Sequence, residues 1–338
     1  MLQRILVPLD GSERAERGLA MAARLARGSG GALIIARIVN TPPFPLAPYG
    51  EPAQIALALI DTAREEADEY LKRVIARPEL AGIAVETRAI EGHVTAGILD
   101  IARDEQCDLI VICTHGYSGI NRWRLGRVAA QVARHAPTPV LVVPAHDKRD
   151  KRDKRDKSGR AGSSDDGVRL LITLDGSGLA ESALEPALAL ASALAAPERI
   201  TAHLLHVVDF FTVMMNDELP EKQPDVTGVG AEEQALEAAR TYLAAQAERI
   251  QQEHPGVTVT TNARLASDVA TTIHDVAEGN PAYDYIAMST HGRGGLQRWA
   301  MGSIAERVLH MTKLPLLMVR APANAAVARD AEAPGPAE

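Results

Sequence analysis

Gly302 stands directly before Ser303-Ile-Ala-Glu-Arg-Val-Leu-His-Met311, a run that opens on Ser303 and whose apolar spacing reads as a helix. Such a helix start offers unpaired backbone N–H groups and a positive dipole end, which suit a phosphate. A glycine there lets the anion approach the backbone, and the Ser303 hydroxyl adds a donor. An ordinary Gly-Ser cap explains the same two residues without any ligand. A second chemical signal is Asp175-Gly176-Ser177, with Asp10-Gly11-Ser12 as its twin near the start of the chain. A carboxylate at a strand end can accept hydrogen bonds from ribose hydroxyls, or help hold Mg²⁺ through water. Asp-Gly-Ser is equally a good turn whose serine caps the next helix, although capping alone does not require Asp in both places. His115 and His291 have no recognisable partner nucleophile, so they read as loop-structuring or phosphate-edge residues.

These residues recur because the chain repeats. Arg4-Ile-Leu-Val-Pro-Leu-Asp-Gly-Ser12 matches Arg169-Leu-Leu-Ile-Thr-Leu-Asp-Gly-Ser177. Asp108-Leu-Ile-Val-Ile-Cys-Thr-His-Gly116 matches Asp284-Tyr-Ile-Ala-Met-Ser-Thr-His-Gly292. Each copy closes on an apolar run, 138–143 and 314–319. A tandem duplication within 338 residues is the simplest account. The reading gives a first domain over 1–146, a linker over 147–167, a second domain over 168–321 and a disordered tail over 322–338. The linker contains Lys148-Arg-Asp-Lys-Arg-Asp-Lys-Arg-Asp-Lys157, which has no apolar residue to bury. The second copy is the longer one, and the surplus is assigned to a loop over 209–230.

The elements that must position the site alternate. Strands are expected at 2–8, 31–39, 82–90, 108–113 and 138–143, with helices at 12–27, 53–77, from Val94, and at 126–135. In the second copy strands are expected at 168–174, 198–208, 256–265, 284–289 and 314–319. The helices there fall at 177–195, 231–253, from Asp268, and at 302–311. Alternation of this kind implies βαβ crossovers, hence an α/β fold with a doubly wound, five-stranded parallel sheet in each copy. In such a sheet ligands bind beyond the carboxyl ends of the strands, where the strand order reverses. Neighbouring first and fourth strands would bring the Asp-Gly-Ser and Thr-His-Gly loops to one crevice.

With those residues in view, the chain resembles the universal stress protein family. That family carries Gly-x2-Gly-x9-Gly-Ser/Thr after its fourth strand, for the phosphates and ribose of a nucleotide. The second copy is similar as Ser289-x2-Gly292-x9-Gly302-Ser303; the first is a weaker match as Cys113-x2-Gly116-x9-Gly126-Arg127. Arg127 replaces the hydroxyl, and either clasps phosphate, fills the pocket or lies on the helix surface. The resemblance implies an adenine nucleotide α-hydrolase-like fold with strand order 3-2-1-4-5. It also implies adenine and ribose contacts at Thr173, Leu174, Asp175 and Val207, completed by Met288 and Ile304. The first-copy counterparts are Pro8, Leu9, Asp10, Ile38, Ile112 and Val128. The implied ligand is ATP, ADP or AMP, with Mg²⁺ accompanying the nucleotide near Asp10 or Asp175.

The function implied is ATP-dependent regulation in stress survival. A dimerisation scaffold without nucleotide and a slow ATPase are the alternatives. Efficient turnover is not expected, because neither Gly-x4-Gly-Lys-Ser/Thr nor a strand-borne Gly-x-Gly-x-x-Gly occurs. Family members pair through the closing strand, so the copies are expected to form a pseudo-dimer within one chain, and two chains a homodimer. A formal charge of −8 disfavours nucleic acid as a partner. Cys107 and Cys113 read as reduced thiols. With no span of about 18–20 apolar residues and no leader-like start, the cytoplasm is the expected compartment.

Overall fold

The computed structural model describes residues 2–40, 51–114, 126–144, 167–215, 228–279, 282–291 and 301–321. The tail, the linker apart from Gly167, and the loops that hold His115, Gly116 and Gly292 lie outside these residues. The chain forms two compact units, Met1–His146 and Asp147–Glu338.

The first unit runs β1 (Arg4–Pro8), α1 (Arg17–Ser29), β2 (Ala32–Val39), α2 (Glu51–Ile75), β3 (Val85–Glu91), α3 (Val94–Asp104), β4 (Leu109–Cys113), α4 (Arg127–His135) and β5 (Val140–Val143). All described pairings are parallel: β1 with β2 and β4, β2 with β3, and β4 with β5. The order is therefore 3-2-1-4-5, and it reverses between β1 and β4. Central strands covered by helices on both faces must be apolar throughout. Ile5, Leu6 and Val7 of β1 and Leu33, Ile34 and Ile35 of β2 are accordingly fully buried. Helix α1 ends where Gly30 takes a left-handed φ of 70° and returns its N–H to the Ala26 carbonyl.

The second unit repeats this plan with β6 (Val168–Leu174), β7 (Ile200–Asp209), β8 (Thr258–Ala266), β9 (Tyr285–Ser289) and β10 (Leu316–Val319). β6 lies between β7 and β9, with β8 beyond β7 and β10 beyond β9. Its helices are α5 (Gly178–Glu181), α6 (Leu184–Ser192), α7 (Phe210–Met215), α8 (Gly228–Glu253), α9 (Val269–Glu278) and α10 (Ser303–Met311). In both units a carboxylate ties the fourth strand to the first. Asp108 Oδ2 accepts the N–H groups of Gln3 and Arg4, and Asp284 Oδ2 accepts that of Arg169.

Three expectations need correction. The first-copy helix begins at Arg17 rather than at residue 12, after a turn closed by three-residue hydrogen bonds such as Arg17 N–H to Arg14 O. The second-copy helix 177–195 is two helices. Pro186 has no N–H to give the Ser182 carbonyl, so the regular ladder restarts at Leu184, which puts proline in a first turn. The stretch 209–230 is not all loop, since α7 and the start of α8 fall inside it. Asp209 caps α7, accepting from Phe211 N–H at 3.2 Å and from Thr212 Oγ1 at 2.8 Å. Among the described residues no helix is long and apolar enough to cross a membrane.

Candidate functional site

In the second unit, β6 delivers its last residues to the point where strand order reverses. Thr173 and Leu174 are buried there, and the chain then turns. Gly176 adopts φ +82°, a left-handed value that an L side chain rarely takes, so the turn needs glycine. Asp175 Oδ1 accepts the Ser177 N–H at 3.0 Å and the Ser177 hydroxyl at 2.6 Å. Ser177 Oγ in turn accepts the Ala180 N–H at 3.2 Å, capping α5. The turn-and-cap role is thus realised in full. The same carboxylate also lines the cleft beyond the strand end.

The fourth strand of this unit approaches from the other side of the reversal. Ser289 and Thr290 are buried at its end. Ser289 Oγ accepts the His291 N–H at 3.3 Å, and the Thr290 hydroxyl lies 2.9 Å from His291 Nδ1, so the imidazole is held by its own loop. Gly302 donates its N–H to the Thr290 carbonyl at 2.8 Å, which sets α10 with its N-terminus facing the cleft. Gly302 has no side-chain cap. The N–H groups of the first α10 turn therefore have no acceptor within the helix. A Cβ on Gly302 would meet only the Thr290 carbonyl, at 3.4 Å, which is ordinary contact.

Between these two strand ends lies a cavity of about 1060 Å³. Thr173, Leu174, Asp175, Val207, Met288, Ser289, Gly302, Ser303 and Ile304 all line it, so nine separate sequence expectations meet at one place. Gly292 lies outside the described residues. Leu174, Val207 and Met288 are buried and give the cavity an apolar wall, while Ile304 is 40 % exposed at its rim. An apolar slot with a turn carboxylate at one end and a helix N-terminus at the other suits a ligand with a flat apolar body and an anionic end.

Sequence reasoning missed His206, Tyr242 and the α7 residues Thr212 and Val213, which also line the cavity. The His206 ring meets the Tyr242 ring edge-on, with centroids 6.0 Å apart. Tyr242 donates its hydroxyl to Glu181 Oε1 at 3.1 Å, and Arg249 pairs with the same carboxylate at 3.6 Å. Burial and then the Glu181 charge push the Tyr242 phenol well above its ordinary value, so it remains a hydrogen-bond donor. A signal existed: Tyr-Leu-x5-Arg occurs at 70–77 and again at 242–249.

The first unit builds the same parts differently. Pro8 and Leu9 are buried, and Asp10 is exposed in a turn with Gly11 at φ +88°. Asp10 Oδ1 accepts the Ser12 N–H at 2.9 Å. Ile38 is half-buried on β2, while Ile112 and Cys113 are buried at the end of β4. Gly126 donates to the Thr114 carbonyl at 2.5 Å, Arg127 is exposed as the first residue of α4, and Val128 follows it. Gly116 lies outside the described residues. Tyr70 donates to Glu16 at 2.9 Å, and Arg77 pairs with the same carboxylate. Where the second unit has His206 against Tyr242, the first has the Arg37 guanidinium 4.8 Å over the Tyr70 ring.

Comparison with known proteins follows the same division. The profile of the Universal stress protein family matches residues 1–144 and again 168–320. A universal stress protein of Mycolicibacterium smegmatis is 24 % identical over 328 residues, covering 94 % of this chain and 96 % of its own. One from Methanocaldococcus jannaschii is 33 % identical over 144 residues, 42 % of this chain and 82 % of its own. The crystal structure of a universal stress protein from Archaeoglobus fulgidus aligns with a TM-score of 0.64 over 95 % of this chain and 99 % of that one, at 20 % identity, and so shares the fold.

Proposed function

The chain belongs to the Universal stress protein family, and we propose on that footing that its second domain binds ATP or a related adenine nucleotide and acts as a regulatory, stress-responsive module. One observation carries the reading. A single cavity joins the Asp175 turn to the N-terminus of α10, with Leu174, Val207 and Met288 between them. Adenine lies along that apolar wall, ribose hydroxyls reach the Asp175 side, and phosphates meet the first turn of α10 and the Ser303 hydroxyl. Mg²⁺, if it accompanies the nucleotide, supplies charge neutralisation on the phosphates; Asp175 Oδ1 is already engaged with Ser177.

The domain limits proposed are 1–146 and 168–321, joined by the charged segment between. The two copies pair within the chain through their closing strands, and chains associate as homodimers in the cytoplasm. Light scattering of the purified chain tests the last point, since a strictly monomeric mass contradicts it. The nucleotide reading is tested by thermal unfolding with and without ATP. At ligand about 100-fold above the dissociation constant, occupancy adds about 2.7 kcal/mol. A rise of roughly 5–10 °C in the midpoint is expected, using about 2–4 °C per kcal/mol for a domain of this size. No rise, together with no nucleotide released on denaturing the purified protein, contradicts the reading.

A further inference from the structure

The two units place different residues at one position of their second strand. Pro8 pairs with Ala36 in the first, and Thr173 pairs with Leu205 in the second. The next residues are Arg37 and His206, so these two are equivalent. In the second unit His206, Gly176 and Tyr242 are three walls of the open cavity. In the first unit the equivalent walls are Arg37, Gly11 and Tyr70, and the space between them holds a guanidinium. A Cβ placed on Gly11 would lie 3.1 Å from Arg37 Nη1, 3.4 Å from its Cζ and 3.5 Å from its Nη2. The same group lies 4.8 Å over the Tyr70 ring. Arginine is suited to this: its planar head stacks on an aromatic face and is weakly hydrated, so it settles in a half-buried slot that would reject an ammonium. Tyr70 is itself fixed, because its hydroxyl donates to Glu16, which Arg77 also holds.

We infer that Arg37 is a specificity-determining plug: its guanidinium takes the volume between Gly11 and Tyr70 that the second domain leaves open, and so restricts nucleotide to the second domain. The inference rests on the nucleotide reading of the second domain and adds the residue that distinguishes the two copies. It shifts weight away from Arg127, which is exposed at the start of α4. Removal of the Arg37 head, not of Arg127, opens the first cleft.

Equilibrium dialysis of the full chain against ATP counts sites. One site per chain is expected in wild type and in Arg127→Ser, and two in Arg37→His, with far-UV circular dichroism unchanged. Arg37→Ala, which leaves an even smaller side chain, repeats the test should the histidine variant fail to fold. One site in the folded Arg37 variants overturns the plug. Two sites in wild type overturn it as well, and a drop from two to one on losing Arg37 would make that residue a phosphate ligand instead. No site in wild type contradicts the reading of the second domain; a site gained by Arg37→His would even then uphold the plug, and none gained would overturn it.

Discussion

The clefts of the two units share a frame and differ in what fills it. Each has an Asp-Gly-Ser turn with a left-handed glycine, a Glu-Tyr-Arg cluster tying the long helix to the segment that follows the turn, and a glycine whose N–H returns to a threonine carbonyl ahead of a helix. One frame encloses a cavity of about 1060 Å³; the other holds an arginine head against its turn glycine. The shared parts belong to both folds, and on the proposed reading a few side chains that project between them decide which copy takes a ligand. On that reading, the Asp-Gly-Ser signature alone does not separate a nucleotide-binding copy from a plugged one.

The largest effect that sharpens this comparison comes from the cores. Ile110 and Ile286 are both fully buried, each as the second residue of its strand, β4 and β9. Truncation of either to alanine should cost about 2–5 kcal/mol, read by denaturant unfolding. ATP should then raise the midpoint of the unit carrying Ile286→Ala and leave that carrying Ile110→Ala unchanged. Equal rescue of both would break the assignment of ligand to one unit.

Gly302→Ala comes next. Its Cβ has ordinary space and the backbone φ of −60° suits any residue, so the domain should fold. Gly302 lines the cavity at the start of α10, and if phosphate binds there ATP affinity should fall about tenfold, or about 1.4 kcal/mol. An unchanged affinity by calorimetry would remove α10 from the phosphate site. Ser177→Ala and Ser12→Ala should each cost about 1 kcal/mol of stability, because each hydroxyl accepts an N–H at 3.2 Å in its turn. Only the former should also weaken ATP binding.

The smallest effect is in acid. Asp268 caps α9 and bonds Arg307 at 2.7 Å, and that guanidinium, followed by the Thr271 N–H, holds its carboxyl down at about 2. A carboxyl with a lowered folded value contributes stability above its unfolded value near 4, and loses it as pH falls through about 2. His93 holds the equivalent place in the first unit and makes no side-chain cap. Asp268→Asn should therefore flatten the pH dependence of the second unit between about 4 and 2, leaving the first unit's dependence unchanged. A wild-type slope in Asp268→Asn would show that other groups carry it.

Much of the fold was legible because buried parallel strands must be continuous apolar runs, as Ile5–Val7 and Leu170–Ile172 are. The meeting of the strand-end residues at one cavity was legible for a related reason: the reversal of strand order fixes where the ends of β6 and β9 meet. Helix limits were less so, since one proline at 186 split a helix that apolar spacing alone ran from 177 to 195. Helix α7 was hidden by its polar surroundings, and its cap at Asp209 has meaning only once β7 ends there. Arg37 was not legible at all. Its alternation fits a strand residue, and only the packing of Tyr70 and Gly11 around its head gives it a role.

Photolabelling of the full chain with 8-azido-ATP, followed by peptide mapping, tests the central claim most directly. Label should fall on peptides bearing β7, α8 or the start of α10, and excess ATP should remove it. Label of equal strength on β2 or α2, or label insensitive to ATP, would contradict the account.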